Sequence, residues 1–171
     1  MNIRAWLVTR RTALVIIAGV ALAIGAAYVF WSRPAAPQVD YVTLQGERTS
    51  TQALRGKVVY VVFWATSCAT CIKEMPDLVK TYQRYAPHGF ELLAVAMKYD
   101  PPDYVENYTR QHQLPFKVVL DTQGAIATAF GDVQLTPTAV LIDKRGRILS
   151  RVVGEPDFAA LRATIERELA D

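Results

Sequence analysis

The stretch FWATSCATC, residues 63–71, contains both cysteines of the chain, Cys68 and Cys71, with two residues between them. It follows the apolar, β-branched and aromatic run VVYVVF at residues 58–63, which predicts a buried β-strand. The residues after Cys71 have a helical period instead. The pair therefore lies where a strand passes into a helix. There, the unpaired N–H groups and the dipole of the helix N-terminus stabilise a thiolate, which favours thiol–disulfide exchange.

The N-terminal part of the chain predicts a membrane anchor. Residues 12–31 carry no charged side chain and are numerous enough for a helix to cross a bilayer. Because Arg4, Arg10 and Arg11 precede this run, the positive-inside rule places residues 1–11 in the cytoplasm. The alternative is cleavage by signal peptidase after Ala-Leu-Ala at residues 21–23, which would leave an apolar new terminus. We expect an uncleaved single-pass anchor in the inner membrane, with the folded part on the periplasmic side.

The charge of the chain is unevenly distributed. Of its 19 basic residues, four precede Asp40, whereas all 16 acidic residues lie at or beyond it. The part from residue 40 onward therefore has a net charge of −1, so the overall charge of +3 reflects topology and gives no support for nucleic-acid binding. Two cysteines do not make a disulfide-stapled domain, but an oxidising compartment will use a close pair. We expect a working redox pair.

After a short linker at residues 32–39, the pattern predicts one α/β domain at residues 40–171, opening with a β-hairpin region at residues 41–57. Apolar runs predict five strands, at residues 58–63, 90–97, 117–120, 138–142 and 147–153. Helical periodicity predicts four helices, at residues 68–86, 103–113, 125–130 and 158–169. This order predicts a mixed sheet with helices on both faces.

Glu74 lies at the border of the apolar stripe of the first predicted helix. At 100° per residue, Cys71, Met75 and Leu78 share that stripe, and Glu74 lies about 60° from Cys71 at its edge. An acid in that position is partly desolvated, has a raised pKa and can exchange a proton with the thiol of Cys71. The alternative is a solvated glutamate at the boundary.

Other polar residues give weaker signals. His88 and His112 have no acidic or thiol neighbour at ligand spacing, so we expect them at the surface. Asp100, Asp103 and Glu106 have the pattern of a solvated helix start, since acidic side chains are favourable at the positive end of the helix dipole. We expect no metal site and no cofactor.

Several motifs occur together in the chain: GKVV at residues 56–59, FWAT-x-C-x-x-C at residues 63–71 with Glu74 and Pro76 after it, LTPT at residues 135–138 and LID-x-x-GRI at residues 141–148. This combination resembles the membrane-anchored, TlpA-like branch of the bacterial thioredoxin family, over residues 41–169. The resemblance implies a thioredoxin-like fold. It also implies that the helix and strand between Pro101 and Asp121 are the insertion that separates this branch from plain thioredoxin.

The helix position and the resemblance together suggest roles for the cysteines and their neighbours. Cys68, at the helix start, is the candidate nucleophile, and Cys71, one turn in, would resolve the mixed disulfide. Glu74 would manage the proton, since the family places its buried acid after the second cysteine.

The resemblance also implies a site for substrate. Pro137 would be a cis-proline that faces the cysteines and keeps metal from bridging them. It would leave the backbone of Thr136 free to pair with a substrate peptide. Trp64 would pack under the site and contribute to substrate binding; the alternative is an ordinary aromatic residue of the core.

Two residues depart from the family pattern. Ser67 replaces the tryptophan usual before the first cysteine, and Thr70 replaces the proline usual before the second. Because the residues between the cysteines tune thiolate stability, these changes bear on the redox potential and the partner.

The leading hypothesis is a membrane-tethered thiol–disulfide oxidoreductase that reduces disulfides of exported proteins. The resemblance implies substrates such as apocytochrome c or the copper-site cysteines of respiratory proteins, and a membrane electron donor such as a transmembrane thiol reductase. The alternatives are a copper-handling or redox-silent thiol protein, with Met75 as a third soft ligand, and a disulfide oxidase or isomerase. The anchor favours a tethered monomer.

Overall fold

The computed structural model describes residues 16–25 and 33–170. The chain divides into two compact units, Met1–Pro34 and Ala35–Asp171. In the first unit, residues 16–25 are helical. The predicted cytoplasmic segment 1–11 lies outside the described residues, as do both ends of the predicted span 12–31. Within the described ranges, no helix is long and apolar enough to cross a membrane.

The second unit contains a five-stranded mixed sheet and a separate two-stranded hairpin. The hairpin strands are β1 (Asp40–Val42) and β2 (Arg48–Ser50). The strands of the large sheet are β3 (Val58–Trp64), β4 (Phe90–Ala96), β5 (Lys117–Leu120), β6 (Thr138–Ile142) and β7 (Ile148–Val153). Their order in space is β5-β4-β3-β6-β7, with β3, β4 and β5 parallel and β6 and β7 antiparallel to their neighbours.

The two central strands are buried on both faces. All seven residues of β3 and all seven of β4 are buried, which explains why these strands are apolar apart from Glu91, whose carboxylate lies 3.2 Å from Nζ of Lys57. Side chains alternate between the two faces along each strand, so Val62 and Trp64 belong to one hydrophobic cluster and Val61 and Phe63 to the other.

Helices cover both faces of the sheet. They are α1 (Ala69–Tyr85), α2 (Pro102–Gln111), α3 (Ala125–Ala129) and α4 (Phe158–Ala170), with short 3-10 helices at Thr51–Leu54 and Ala86–His88. α1, α2 and α4 bury Leu78, Val105 and Ile165 in the first cluster, whereas α3 buries Ile126 in the second. The predicted mixed sheet with helices on both faces is thus confirmed.

The predicted N-terminal hairpin is confirmed as well, and β1 and β2 are antiparallel. Gly46 forms its turn with φ +83°, a left-handed conformation in which glycine is unstrained. The hairpin joins the large sheet through the N–H of Leu44, which donates to the carbonyl of Val118 in β5 at 2.9 Å. The helix and strand expected between Pro101 and Asp121 are α2 and β5.

The folded unit begins at Ala35, within the segment 32–39 that the sequence predicts to be a linker. The N–H of Ala36 donates to the carbonyl of Gly146 at 2.8 Å, and the hydroxyl of Thr51 donates to the carbonyl of Pro37 at 2.7 Å. Residues 35–39 are therefore part of the domain. The composition of PAAP, residues 34–37, predicts an extended chain but does not reveal that it is hydrogen-bonded to the domain.

Candidate thiol–disulfide site

Cys68 and Cys71 form a disulfide at the N-terminus of α1, with their Cα atoms 5.2 Å apart. Cys68 is the N-cap residue of the helix, and its backbone is extended. Its Sγ accepts a hydrogen bond from the N–H of Cys71 at 3.2 Å. That N–H is one of the donors at a helix start that lack a partner within the helix. The first turn of α1 thus directs a donor at the sulfur on which a thiolate would form.

The two cysteines differ in exposure. Cys68 is half-buried and lies between the exposed residues Ser67 and Ala69, whereas Cys71 is fully buried. Cys71 packs in the same hydrophobic cluster as Met75. Of the two cysteines, therefore, only Cys68 is exposed to a substrate. The expectation that the second cysteine is shielded is confirmed.

Glu74 follows Cys71 by one turn on α1 and is only 2 % exposed. Burial raises the pKa of its carboxyl to about 7, and the negative charge of Glu155 adds to the shift. Its Oε2 has no hydrogen-bond partner among the described residues. The prediction of a desolvated acid is confirmed, and the solvated alternative is wrong. Such a carboxyl can both accept and release a proton near neutral pH.

Charged and phenolic groups surround Glu74. Glu155, in the loop after β7, is held at the surface by Lys73, whose Nζ lies 2.7 Å from its Oε2. Below the helix, burial and then the charge of Glu74 raise the pKa of Tyr60 well above its usual range. Tyr60 therefore remains neutral, so the negative charges that influence each other here are those of Glu74 and Glu155.

The loop before β6 lies at the same end of the sheet as the cysteines, because Thr138 pairs with Phe63 in β3. The Thr136–Pro137 peptide bond is cis, as the resemblance implies. The carbonyl of Pro137 accepts a hydrogen bond from the N–H of Gly154 at 2.8 Å. Thr136 is half-buried, and none of the backbone hydrogen bonds between described residues uses its N–H or carbonyl. Its backbone is available for an incoming strand.

The structure corrects the assignment of Trp64 to substrate binding. Its side chain is fully buried, with its ring 5.5 Å from that of Tyr108, so a substrate cannot touch it. Trp64 shares a hydrophobic cluster with Cys71 and forms part of the packing around the site.

Asp100 is a second correction, because the sequence predicts a solvated helix start and the side chain is only 5 % exposed. Its two carboxylate oxygens accept hydrogen bonds from the N–H and the hydroxyl of Thr66, both at 2.6 Å. Asp103 and Glu106 are exposed, as expected. The position of Asp100 just after β4 could have indicated its role, because the carboxyl ends of neighbouring parallel strands meet at one edge of the sheet.

The site offers few ligands for a metal. When reduced, Cys68 and Cys71 would supply two soft donors, but Met75 is only 2 % exposed. In the described parts of the chain, no group of three or more His, Cys, Asp or Glu side chains is arranged to hold a metal ion. His88 and His112 are exposed, and the ring of His112 stacks on Tyr108 at 4.1 Å.

The chain is similar in sequence to a known protein family and to known proteins. The Redoxin family matches residues 32–165. Thiol-disulfide oxidoreductase ResA of Bacillus thuringiensis subsp. konkukian is 36% identical over 121 residues, which are 70% of this chain and 68% of that protein. ResA of Halalkalibacterium halodurans is 32% identical over 147 residues, with 80% and 81% covered.

The fold is also similar to those of solved structures. A candidate thioredoxin from Neisseria meningitidis has a TM-score of 0.75 and 40% identity, covering 82% of this chain and 93% of that one. A thioredoxin-family thiol:disulfide interchange protein from Chlorobium tepidum has a TM-score of 0.73 and 28% identity, with 80% and 97% covered. With the Cys-x-x-Cys disulfide at the start of α1, these similarities identify the chain as a member of the Redoxin family, a TlpA-like thiol–disulfide oxidoreductase with a thioredoxin fold.

Proposed function

We propose that this oxidoreductase is tethered to the inner membrane and reduces disulfides of exported proteins on the periplasmic side. The observation that carries the proposed reaction is the unequal exposure of the two cysteines at the start of α1, whereas the tether rests on the apolar run at residues 12–31. Cys68 is accessible and receives the N–H of Cys71, whereas Cys71 is fully buried. One sulfur is therefore suited to attack a partner and the other to release it.

The reaction has two exchange steps. The Cys68 thiolate attacks one sulfur of a substrate disulfide, forming a mixed disulfide and releasing the other substrate sulfur as a thiolate. The Cys71 thiolate then attacks Sγ of Cys68, which frees the remaining substrate sulfur and closes the Cys68–Cys71 disulfide. The substrate gains two electrons and two protons, and the protein loses them. A transmembrane thiol reductase that faces the same compartment would restore the dithiol.

In this scheme Glu74 accepts the proton of the Cys71 thiol. Cys71 lies in an apolar cluster, where a thiol resists ionisation, and it must lose its proton before it can attack. Glu74 is its neighbour at i+3, on the same side of α1, with one carboxylate oxygen unpartnered. Since its pKa is about 7, the ionised form is available as a base at neutral pH and can return the proton in the reverse step.

The residues between the cysteines favour a reductant over an oxidase. A strong oxidant of this kind has a strongly stabilised thiolate in its reduced form. Here Ala69 and Thr70 bring no charge, so the helix N-terminus is what stabilises the Cys68 thiolate from within the motif. Substrates of the class suggested by the resemblance are apocytochrome c and the copper-site cysteines of respiratory proteins.

The cysteine roles predict opposite outcomes for two single variants. With a peptide disulfide as substrate, Cys71→Ser should attack but fail to resolve, so a covalent adduct accumulates on non-reducing gels. Cys68→Ser should form no adduct and lose turnover by at least about 10³-fold, as enzymes do without their nucleophile. Parental turnover in Cys68→Ser would refute the mechanism.

The raised pKa of Glu74 predicts how stability depends on pH. Between pH 4.5 and about 7 the folded protein holds a proton that the unfolded chain has lost, so the free energy of unfolding should decrease as pH rises through this window. Glu74→Gln should remove this slope and stabilise the oxidised protein at pH 8 by up to about 3 kcal/mol. Denaturant unfolding of the parent and the variant at several pH values measures the pH slope and the difference in stability.

The exposed residue Glu106 provides the matched control. Glu106→Gln should keep the parental slope. If Glu74→Gln also kept it, Glu74 would not titrate in this window.

The direction of the reaction predicts a low reduction potential for the Cys68–Cys71 couple. Equilibrium titration of the folded unit from Ala35 onward should give a value near that of thioredoxin, about −270 mV. A value near −120 mV, the range of a strong oxidant, would reverse the proposal and assign the protein to disulfide formation.

The proposed tether predicts where the protein partitions in cells. The full chain should remain in the membrane fraction after alkaline extraction, and a variant without residues 12–31 should be soluble, because the apolar run is what holds it. A mature protein shortened by cleavage after residues 21–23 would contradict the anchor.

A further inference from the structure

Three loops meet at the end of the sheet that carries the disulfide. β3 ends at Trp64 and leads into residues 65–68, while its parallel neighbour β4 ends at Ala96 and leads into residues 97–100. The antiparallel strand β6 begins at this end, at Thr138. The loop with the nucleophile, the loop with Thr136 and the turn after β4 are therefore neighbours.

The turn after β4, here called the bridging turn (residues 97–100), is tightly hydrogen-bonded. The N–H of Asp100 donates to the carbonyl of Met97 at 2.9 Å, which closes the turn. The N–H of Met97 donates to the carbonyl of Trp64 at 3.0 Å, which fixes the turn to the end of β3. The turn is thus firmly placed beside the loop that contains Cys68.

On one side, the bridging turn holds the loop of the nucleophile. The buried carboxylate of Asp100 accepts from both the N–H and the hydroxyl of Thr66, at 2.6 Å each. Thr66 lies inside a second turn, which the N–H of Cys68 closes by donating to the carbonyl of Ala65 at 3.1 Å. The position of Cys68 therefore depends on a carboxylate that never touches it.

On the other side, the bridging turn contacts the loop before β6. The hydroxyl of Tyr99 lies 3.2 Å from Oγ1 of Thr136. The Tyr99 side chain is otherwise open to solvent, with 54 % of its surface exposed. Two consecutive residues thus contact the two loops of the site, Asp100 the first and Tyr99 the second.

We propose that the bridging turn sets the spacing between the attacking sulfur of Cys68 and the backbone of Thr136, with Asp100 and Tyr99 as positioning residues for peptide disulfides. This inference rests on the proposed function, the reduction of protein disulfides, and on pairing of the substrate backbone with the available backbone of Thr136. A peptide must satisfy both positions at once, because its backbone pairs at Thr136 while its sulfur aligns with Cys68. A small disulfide has no backbone to pair, and it reacts wherever Cys68 can reach it. If one loop is misplaced relative to the other, the attack of Cys68 on a peptide disulfide is therefore slowed more than its attack on a small disulfide.

The test compares two probes on the reduced full-length protein in detergent. One is a pair of nonapeptides joined by a single central disulfide, and the other is 2-hydroxyethyl disulfide. For each, the second-order rate constant of attack by Cys68 is measured, and the peptide rate is divided by the small-disulfide rate. Tyr99→Phe removes one hydrogen bond, and Asp100→Asn replaces two bonds to a charged group by weaker neutral ones, so each variant should lower this ratio by about tenfold.

Asp121 supplies a matched control. It is also a buried aspartate directly after a parallel strand, and its carboxylate accepts from the N–H groups of Ile126 and Ala127 at 3.1 and 2.8 Å. Asp121→Asn should keep the parental ratio, because these bonds lie at α3. If Asp121→Asn lowered the ratio as much as Asp100→Asn, the effect would be general destabilisation and the proposal would be overturned.

A double variant tests the second contact. If the hydroxyl of Tyr99 acts through Thr136, the variant Tyr99→Phe/Thr136→Val should have no lower ratio than Thr136→Val alone. Since Tyr99 is exposed and its replacement conservative, this arm remains informative even if Asp100→Asn does not fold. If the double variant had a lower ratio than Thr136→Val by the full effect of Tyr99→Phe, the hydroxyl of Tyr99 would not act through Thr136.

The parent protein separates failure of the inference from failure of the proposed function. If the reduced parent attacks neither probe, the proposed reduction of disulfides is refuted. If the parent shows no preference for the peptide, the pairing at Thr136 is refuted and the bridging turn has no such role. If the parent prefers the peptide and the ratio is unchanged in both Asp100→Asn and Tyr99→Phe, the positioning role alone is refuted.

Discussion

The placement of the site depends on the double pairing of β3. This strand is hydrogen-bonded to β4 on one side and to β6 on the other, and each of its residues is buried. A slip by one residue would exchange the side chains that pack in the two hydrophobic clusters, so that Trp64 and Phe63 would each face the packing shaped for the other. Because Cys68 follows its end by only four residues, the fixed register of β3 becomes a fixed position for the nucleophile. The loop before β6 is held by the same strand.

Much of this arrangement is encoded locally and could therefore be predicted. The apolar runs reveal β3 and β4, because strands covered on both faces carry few polar side chains. The helical stripe of α1 predicts that Cys71 is buried. It also predicts a desolvated Glu74, because an acid one turn from a buried thiol shares its side of the helix. The cis bond at Pro137 came from family resemblance, since sequence alone favours trans.

Other features depend on contacts between distant segments. Asp100 has the sequence of an exposed residue before a helix, and it is buried only because Thr66, far away in the sequence, supplies two donors. Trp64 lies in the motif but points into the core, since the alternation along β3 places it in the same cluster as Tyr60 and Val62. Residues 35–39 belong to the domain through hydrogen bonds to Gly146 and Thr51, and no local sequence pattern predicts these bonds.

Glu74 illustrates a conflict between stability and chemistry. A carboxyl group with an unpartnered oxygen in a buried position raises the free energy of the folded state, and an apolar side chain there would pack at lower cost. Groups that oppose folding in this manner are concentrated at functional sites, where the strain or desolvation serves the reaction. The free-energy cost of burying Glu74 serves proton exchange with Cys71, because the fully buried thiol beside it cannot exchange protons with solvent.

The hairpin at the N-terminus has a consequence for the solubility of this domain. β5 is the last strand of the sheet on its side, and Leu44 and Thr43 cover it by pairing with Val118 and Val119. Without them, β5 would present a row of unsatisfied N–H and C=O groups to any other chain, the feature by which strands from different molecules aggregate. A fragment trimmed to the redox motif and the large sheet would retain every residue of the chemistry and lose this protection. The hairpin thus protects the domain against self-association, although it contains none of the residues assigned to thiol exchange.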